Sequence, residues 1–248
     1  FGKSLTLNTI ATLFESGTDP YFKGTWLYDK WKDITYPVLR INLVNYAFKD
    51  LNKFKLQLTD YITVFANKNH VEGYVASGEP NVAIKNLLDS LNDAKRKIVV
   101  LIDEYDCQMT ANINNPDLYG DFKDCLREFY GAIKGKAAIR FLGVTGVTRL
   151  KNVSIFSVGS DINDITNDST YSQLIGFTKD EIRKFYLDYL KLATAYEYNI
   201  NEDNVTDEQL ESMLDKLAQN YDGYCFDEDY EKKVLSTWSV NNFFQNVY

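Results

Sequence analysis

Three short stretches of the chain carry residue types that could do chemistry together: Gly2-Lys3-Ser4, Asp103-Glu104 at the end of "VVLIDE", and Thr148-Arg149 at the end of "GVTGVTR". Gly-Lys-Ser is the tail of a phosphate-binding loop, G-x-x-x-x-G-K-[ST], met here without the loop's front half. At a helix start, the backbone amides from Gly2 to Leu5 would face anionic oxygens. The Lys3 ammonium would reach terminal phosphates, and the Ser4 hydroxyl suits a magnesium ion. The same tripeptide would also serve an ordinary helix start, so it needs company.

"VVLIDE" supplies independent support. Phosphoryl transfer to water needs one carboxylate to hold the magnesium shell and a second acid to orient or deprotonate the water. Asp103 fits the first role beside Ser4, and Glu104 fits the second. The plain alternative is a strand that ends in a solvated acidic turn. Thr148 and Arg149 add a polar and a cationic group able to contact a terminal phosphate and stabilise charge in the transition state. Thr145, a little earlier, can still belong to the strand. The order of the three stretches ties them into one signal.

The elements that must position these residues are legible from periodicity. Leu7, Ile10, Ala11 and Phe14 fall at helical spacing, so Gly-Lys-Ser opens a helix. "YPVLRINLV" (36–44) reads as a strand, and amphipathic helices follow over 49–67 and 81–94. "KIVVLIDEYD" (97–106) holds only Ile, Val and Leu from Ile98 to Ile102, the mark of a strand buried on both faces of a parallel sheet. Acids at its carboxyl end then stand where open α/β sheets bind ligands. A helix over 117–134 and a second buried strand over 138–150 come next. From about 176 helices dominate: Thr178 and Glu181 form a capping box, a helix is expected over 206–219, and an aromatic tail closes the chain. Asp161 and Asp164 could be further metal ligands, although Asn, Asp and Ser there more often make turns. "YDGYCF" reads as a tight turn packing two rings on a core.

Composition narrows the function classes. The chain has 248 residues, 35 acidic against 27 basic side chains, and a net charge of −8, which disfavours direct binding of nucleic acid or of an anionic membrane. His70 is the sole histidine, which removes histidine triads and multi-histidine metal sites. Three cysteines without a C-x-x-C pair suggest neither a disulfide framework nor a zinc site, and a reducing, cytoplasmic setting follows. No stretch has the length and apolarity of a membrane helix or the pattern of a signal peptide.

Taken together, "FGKSL", "VVLIDEYD", "FLGVTGVTRL", "NVSIFSVGSDINDIT", "LIGFTKDEI" and "YDGYCF" resemble the predicted AAA-ATPase-like family, P-loop NTPases of the additional-strand, catalytic-glutamate type. The resemblance covers essentially the whole chain. It implies an α/β fold: a P-loop NTPase-like parallel sheet flanked by helices over 1–175, then a smaller helical lid over 176–248. It also implies ATP and Mg2+ as ligands. Gly2, Lys3, Ser4 and Leu5 would bind nucleotide, Ser4 and Asp103 the metal, and Glu104, Arg149 and Thr148 would be catalytic. In this family an Arg-rich run and a strand precede Phe-Gly-Lys-Ser, so the first strand is expected to be absent here, with a gap, a substitute strand or a distorted start at residues 1–4. Members often continue into a restriction-nuclease-like domain. Such a domain, or other protein subunits, would then be partners. An interaction scaffold without productive nucleotide binding, or an ATP-regulated part of a nucleic-acid-processing protein, are the alternatives.

Overall fold

In the computed structural model, which describes residues 2–148, 162–226 and 232–246, the first regular element is helix α1 (Lys3–Ser16). Strand β1 (Val38–Asn42), helices α2 (Leu51–Lys68) and α3 (Pro80–Asp93), and strand β2 (Ile98–Asp103) follow. A short helix α4 (Cys107–Ala111), a long α5 (Pro116–Ile133) and strand β3 (Ile139–Val144) complete this part of the chain. Local chemistry sets the boundaries. Asp50 accepts from the Lys53 amide at 3.0 Å to cap α2, Asn115 does the same for α5, and Pro80 and Pro116 occupy first-turn positions where no amide bond is lost.

The three strands form one parallel sheet in the order β1-β2-β3, so this part of the protein is α/β with helices on both faces. β2 is central and buried at all six positions, as a continuous branched apolar run requires. Its side chains alternate between two cores. Ile98, Val100 and Ile102 pack with Leu39, Ile41 and the apolar faces of α2, α3 and α5. Val99 and Leu101 pack on the opposite face with Val38 and with Leu7, Ala11 and Phe14 of α1. Each such side chain contributes about 1.5–3 kcal/mol on burial. Phe14 also meets Trp31 edge-on at 5.1 Å and stacks on Phe141 of β3 at 5.6 Å, which holds α1 over the sheet.

One expectation changes here. The buried strand expected over 138–150 ends at Val144 and is half-buried to exposed along its length; just beyond it the Thr145 N–H donates to the Ile102 carbonyl at 2.9 Å and the Thr145 carbonyl accepts from the Tyr105 amide at 3.0 Å. Among the described residues no strand pairs with the other edge of β3. Of residues 1–4, where a disturbed start was expected, Phe1 lies outside the described residues and Lys3 begins a regular helix.

The chain divides into two compact units, Lys3–Asn163 and Asp164–Tyr248, the latter including Phe1–Gly2. The boundary expected from sequence lay after residue 175. The second unit holds α6 (Lys179–Phe185), α7 (Leu187–Tyr198), α8 (Asp207–Tyr221) and α9 (Thr237–Gln245). Thr178 and Glu181 form the expected capping box. Tyr186 leaves helical geometry between α6 and α7, where its ring stacks on Phe244 at 5.3 Å. The unit is not purely helical: residues of "YDGYCF" lie in β4 (Asp222–Cys225), antiparallel to β5 (Lys233–Leu235). Extended pairing, with the aromatic Tyr224 in a strand that suits it, replaces the expected turn. Among the described residues no helix is long and apolar enough to cross a membrane.

Candidate functional site

The site lies at the carboxyl end of β2, against the first turn of α1. Strand alternation explains the first contact: Val99 and Leu101 face α1, so the next residue of that parity, Asp103, faces it too. There Asp103, 6% exposed, accepts three hydrogen bonds. The Ser4 hydroxyl donates to Oδ2 at 2.5 Å, the Thr145 hydroxyl to Oδ1 at 2.5 Å, and the Glu104 amide to Oδ1 at 3.0 Å. Helix start, central strand and end of β3 therefore converge on one carboxylate.

Simple alternation would throw Glu104 to the opposite face, toward α2, α3 and α5. Instead its backbone adopts φ +53°, the left-handed region that a residue with a Cβ occupies at a cost of about 1–2 kcal/mol. Strain of this kind is characteristic of functional sites. The turn leaves the Glu104 carboxylate 3.8 Å from the Lys3 ammonium, both side chains about a quarter exposed. Lys3 and Ser4 thus meet the two acids of "VVLIDE" one to one.

Lys3, Ser4 and Leu5 form the first turn of α1, the end at which a helix leaves N–H groups without intrahelical acceptors and favours anions. Gly2 precedes it at φ +76°, where a residue with a side chain would be strained. A cleft of about 100 Å³ opens beside Ser4 and Asp103 and is lined further by Asn8, Arg40 and Asn42. Ser4 Oγ and Asp103 Oδ2 are hard oxygen donors, and the cleft beside them admits water. That combination fits magnesium, which keeps several waters and takes few protein ligands. Among the described residues there is no group of three or more His, Cys, Asp and Glu side chains able to form an all-protein metal cage.

The other expected residues are placed differently. Thr148 is held through its backbone, its N–H donating to Asp106 at 2.6 Å and its carbonyl accepting from the Tyr105 hydroxyl at 2.7 Å. Thr145 is the threonine on Asp103. Sequence reasoning left it inside a strand, and its position at the carboxyl end of the strand beside β2 was the available signal. Arg149 and Asp161 lie outside the described residues. Asp164 accepts from the Thr166 amide at 3.0 Å, in keeping with a turn. A larger open groove of about 480 Å³ lies between α6, α7 and α8, but its Arg183 is already paired with Asp207 and Glu211.

Comparison with known proteins identifies the family. Residues 1–156 match the family model AAA-ATPase_like, described as predicted AAA-ATPase. An uncharacterized protein in the vnfD 5' region of Azotobacter chroococcum mcd 1 is 32% identical over 185 residues, which are 73% of this chain. The chain spans 35% of that relative's length. No solved structure matches. The matched stretch contains the α1 start, both acids of β2 and the end of β3, and the chain belongs to the AAA-ATPase-like family.

Proposed function

We propose that the protein is a magnesium-dependent ATPase module. The observation that carries this reading is the Ser4–Asp103 hydrogen bond of 2.5 Å beside the Lys3–Glu104 ion pair of 3.8 Å. A phosphate-binding helix start and two acids with separate partners are thereby joined. Lys3 and the amides from Gly2 to Leu5 hold the phosphates, as a helix N-terminus does. Ser4 and Asp103 hold magnesium, which when bound neutralises charge on the phosphate oxygens. Glu104 releases Lys3 to the phosphates, then orients and deprotonates the attacking water. Thr148 and Arg149 contact the terminal phosphate. Thr145 keeps the Asp103 carboxylate in one orientation.

ATP turnover would drive conformational change in a larger protein, with residues 176–248 acting as a lid. Such a module would work in the cytoplasm, where ATP and magnesium are supplied. Glu104→Gln separates the roles: ATP binding, read by calorimetry with magnesium, stays close to that of the parent, while turnover falls about 10²- to 10⁴-fold. Turnover at the parent's rate would remove Glu104 as the base.

A further inference from the structure

Asp106 is 1% exposed, and its carboxylate does not do what its position suggests. It is the cap residue of α4, where an Asp side chain normally accepts from the amides of its own helix. No such bond is made. Its oxygens instead reach across to the loop after β3, accepting from the Val147 amide at 3.2 Å and the Thr148 amide at 2.6 Å. Tyr105 closes the same loop from the other side. Its amide donates to the Thr145 carbonyl at 3.0 Å, and its hydroxyl donates to the Thr148 carbonyl at 2.7 Å. Between these anchors sits Gly146. A Cβ there would lie 2.4 Å from the Tyr105 ring and 2.6 Å from Asp106 Oδ1, so only glycine lets the loop approach this closely.

Residues 145–148 are therefore clamped to the turn that follows β2 by four hydrogen bonds and a glycine contact. The same loop begins with the Thr145 hydroxyl on Asp103. We infer that Asp106 is a positioning residue for ATP hydrolysis: its buried carboxylate, diverted from its own helix, fixes the 145–148 loop and so helps keep Thr145, the first residue of that loop, on Asp103. This deepens the ATPase reading and rests on it. A charged acceptor makes the clamp stiff, because a carboxylate bond to an amide is roughly twice as strong as a neutral one.

Asp106→Asn tests the assignment in the full-length protein. The amide keeps one acceptor oxygen and turns an NH₂ donor toward the second N–H. Expected are a fall in kcat of about 10- to 100-fold, as for partners of metal-facing ligands, and a KM for MgATP within about threefold of the parent. Hydrogen exchange at Val147 and Thr148 rises, while the β2 amides stay protected. Gly146→Ala, which displaces the same loop with Asp106 intact, gives the same kinetic pattern and decides the matter if Asp106→Asn does not fold. Parent-like kcat despite faster exchange at 147 and 148, or unchanged exchange there, overturns the role of Asp106 alone. A parent that hydrolyses no ATP overturns the ATPase reading and the kinetic role of Asp106 together.

Discussion

The Thr145 hydroxyl donates to Asp103 Oδ1 across 2.5 Å and joins the end of β3 to the end of β2 at the carboxylate that Ser4 also meets. With the Glu104 amide on the same oxygen, the carboxylate is pinned from two sides, leaving Oδ2 toward Ser4 and the cleft.

Thr145→Val keeps the side chain's shape and removes that donor. A lost hydrogen bond to a metal-facing carboxylate costs about 10- to 100-fold in metal affinity or activity. The expected result is a magnesium titration of ATP turnover displaced to higher concentration, or a lower plateau, with folding stability lowered by about 1–2 kcal/mol at most. Turnover with the parent's magnesium dependence would leave Thr145 a purely structural residue.

Asp89 on α3 is paired with Lys136 at 2.5 Å and with Lys85 at 3.0 Å. Lys136 first, then Lys85, holds its carboxyl below the ordinary value of 3.8. A depressed carboxylate contributes stability above its unfolded pKa and loses it as pH falls through the lower folded value. The pair is exposed and screened, so Asp89→Asn costs only about 0.5 kcal/mol at pH 7. Urea midpoints of parent and variant should converge on acidification below the ordinary carboxylate range. A gap that widens there would contradict the pairing.

None of the three cysteines is in a disulfide. Burial pushes the Cys107 thiol up to about 12 and the Cys125 thiol up to about 11. At pH 8 the reactive thiolate is then about one part in 10⁴ and one part in 10³ respectively. Iodoacetamide on the native protein should modify Cys225, which is half-buried, ahead of both. Peptide mass spectrometry over time checks the order, and early alkylation of Cys107 would show that the turn around Asp106 opens readily.

Much of the scaffold was legible because it depends on patterns that local sequence carries. A run of branched apolar residues from Ile98 to Ile102 has no stable place except a strand covered on both faces, and it is the central strand of a parallel sheet. Apolar spacing of 3.6 residues marked α1, α2, α3 and α5, and their boundaries fall near proline and capping residues. That Gly2-Lys3-Ser4 and Asp103-Glu104 belong to one site, with Ser4 and Asp103 in one role, was readable from residue type and order, whereas the Lys3–Glu104 ion pair was not.

What only the tertiary structure decided are contacts whose partners lie far apart in the chain. Ser4 and Asp103 are separated by 99 positions, Asp103 and Thr145 by 42. Which threonine reaches the acid depends on where β3 ends, with Thr145 held by its backbone bonds to Ile102 and Tyr105. Which face Glu104 takes depends on a single left-handed backbone angle that residue propensities argue against. Asp106 makes no cap bond to its own helix and accepts instead from the amides of Val147 and Thr148, 41 and 42 positions away in the chain. Periodicity determines which face of an element is buried, while the site is made where element ends meet, and there register and one strained turn choose the partners.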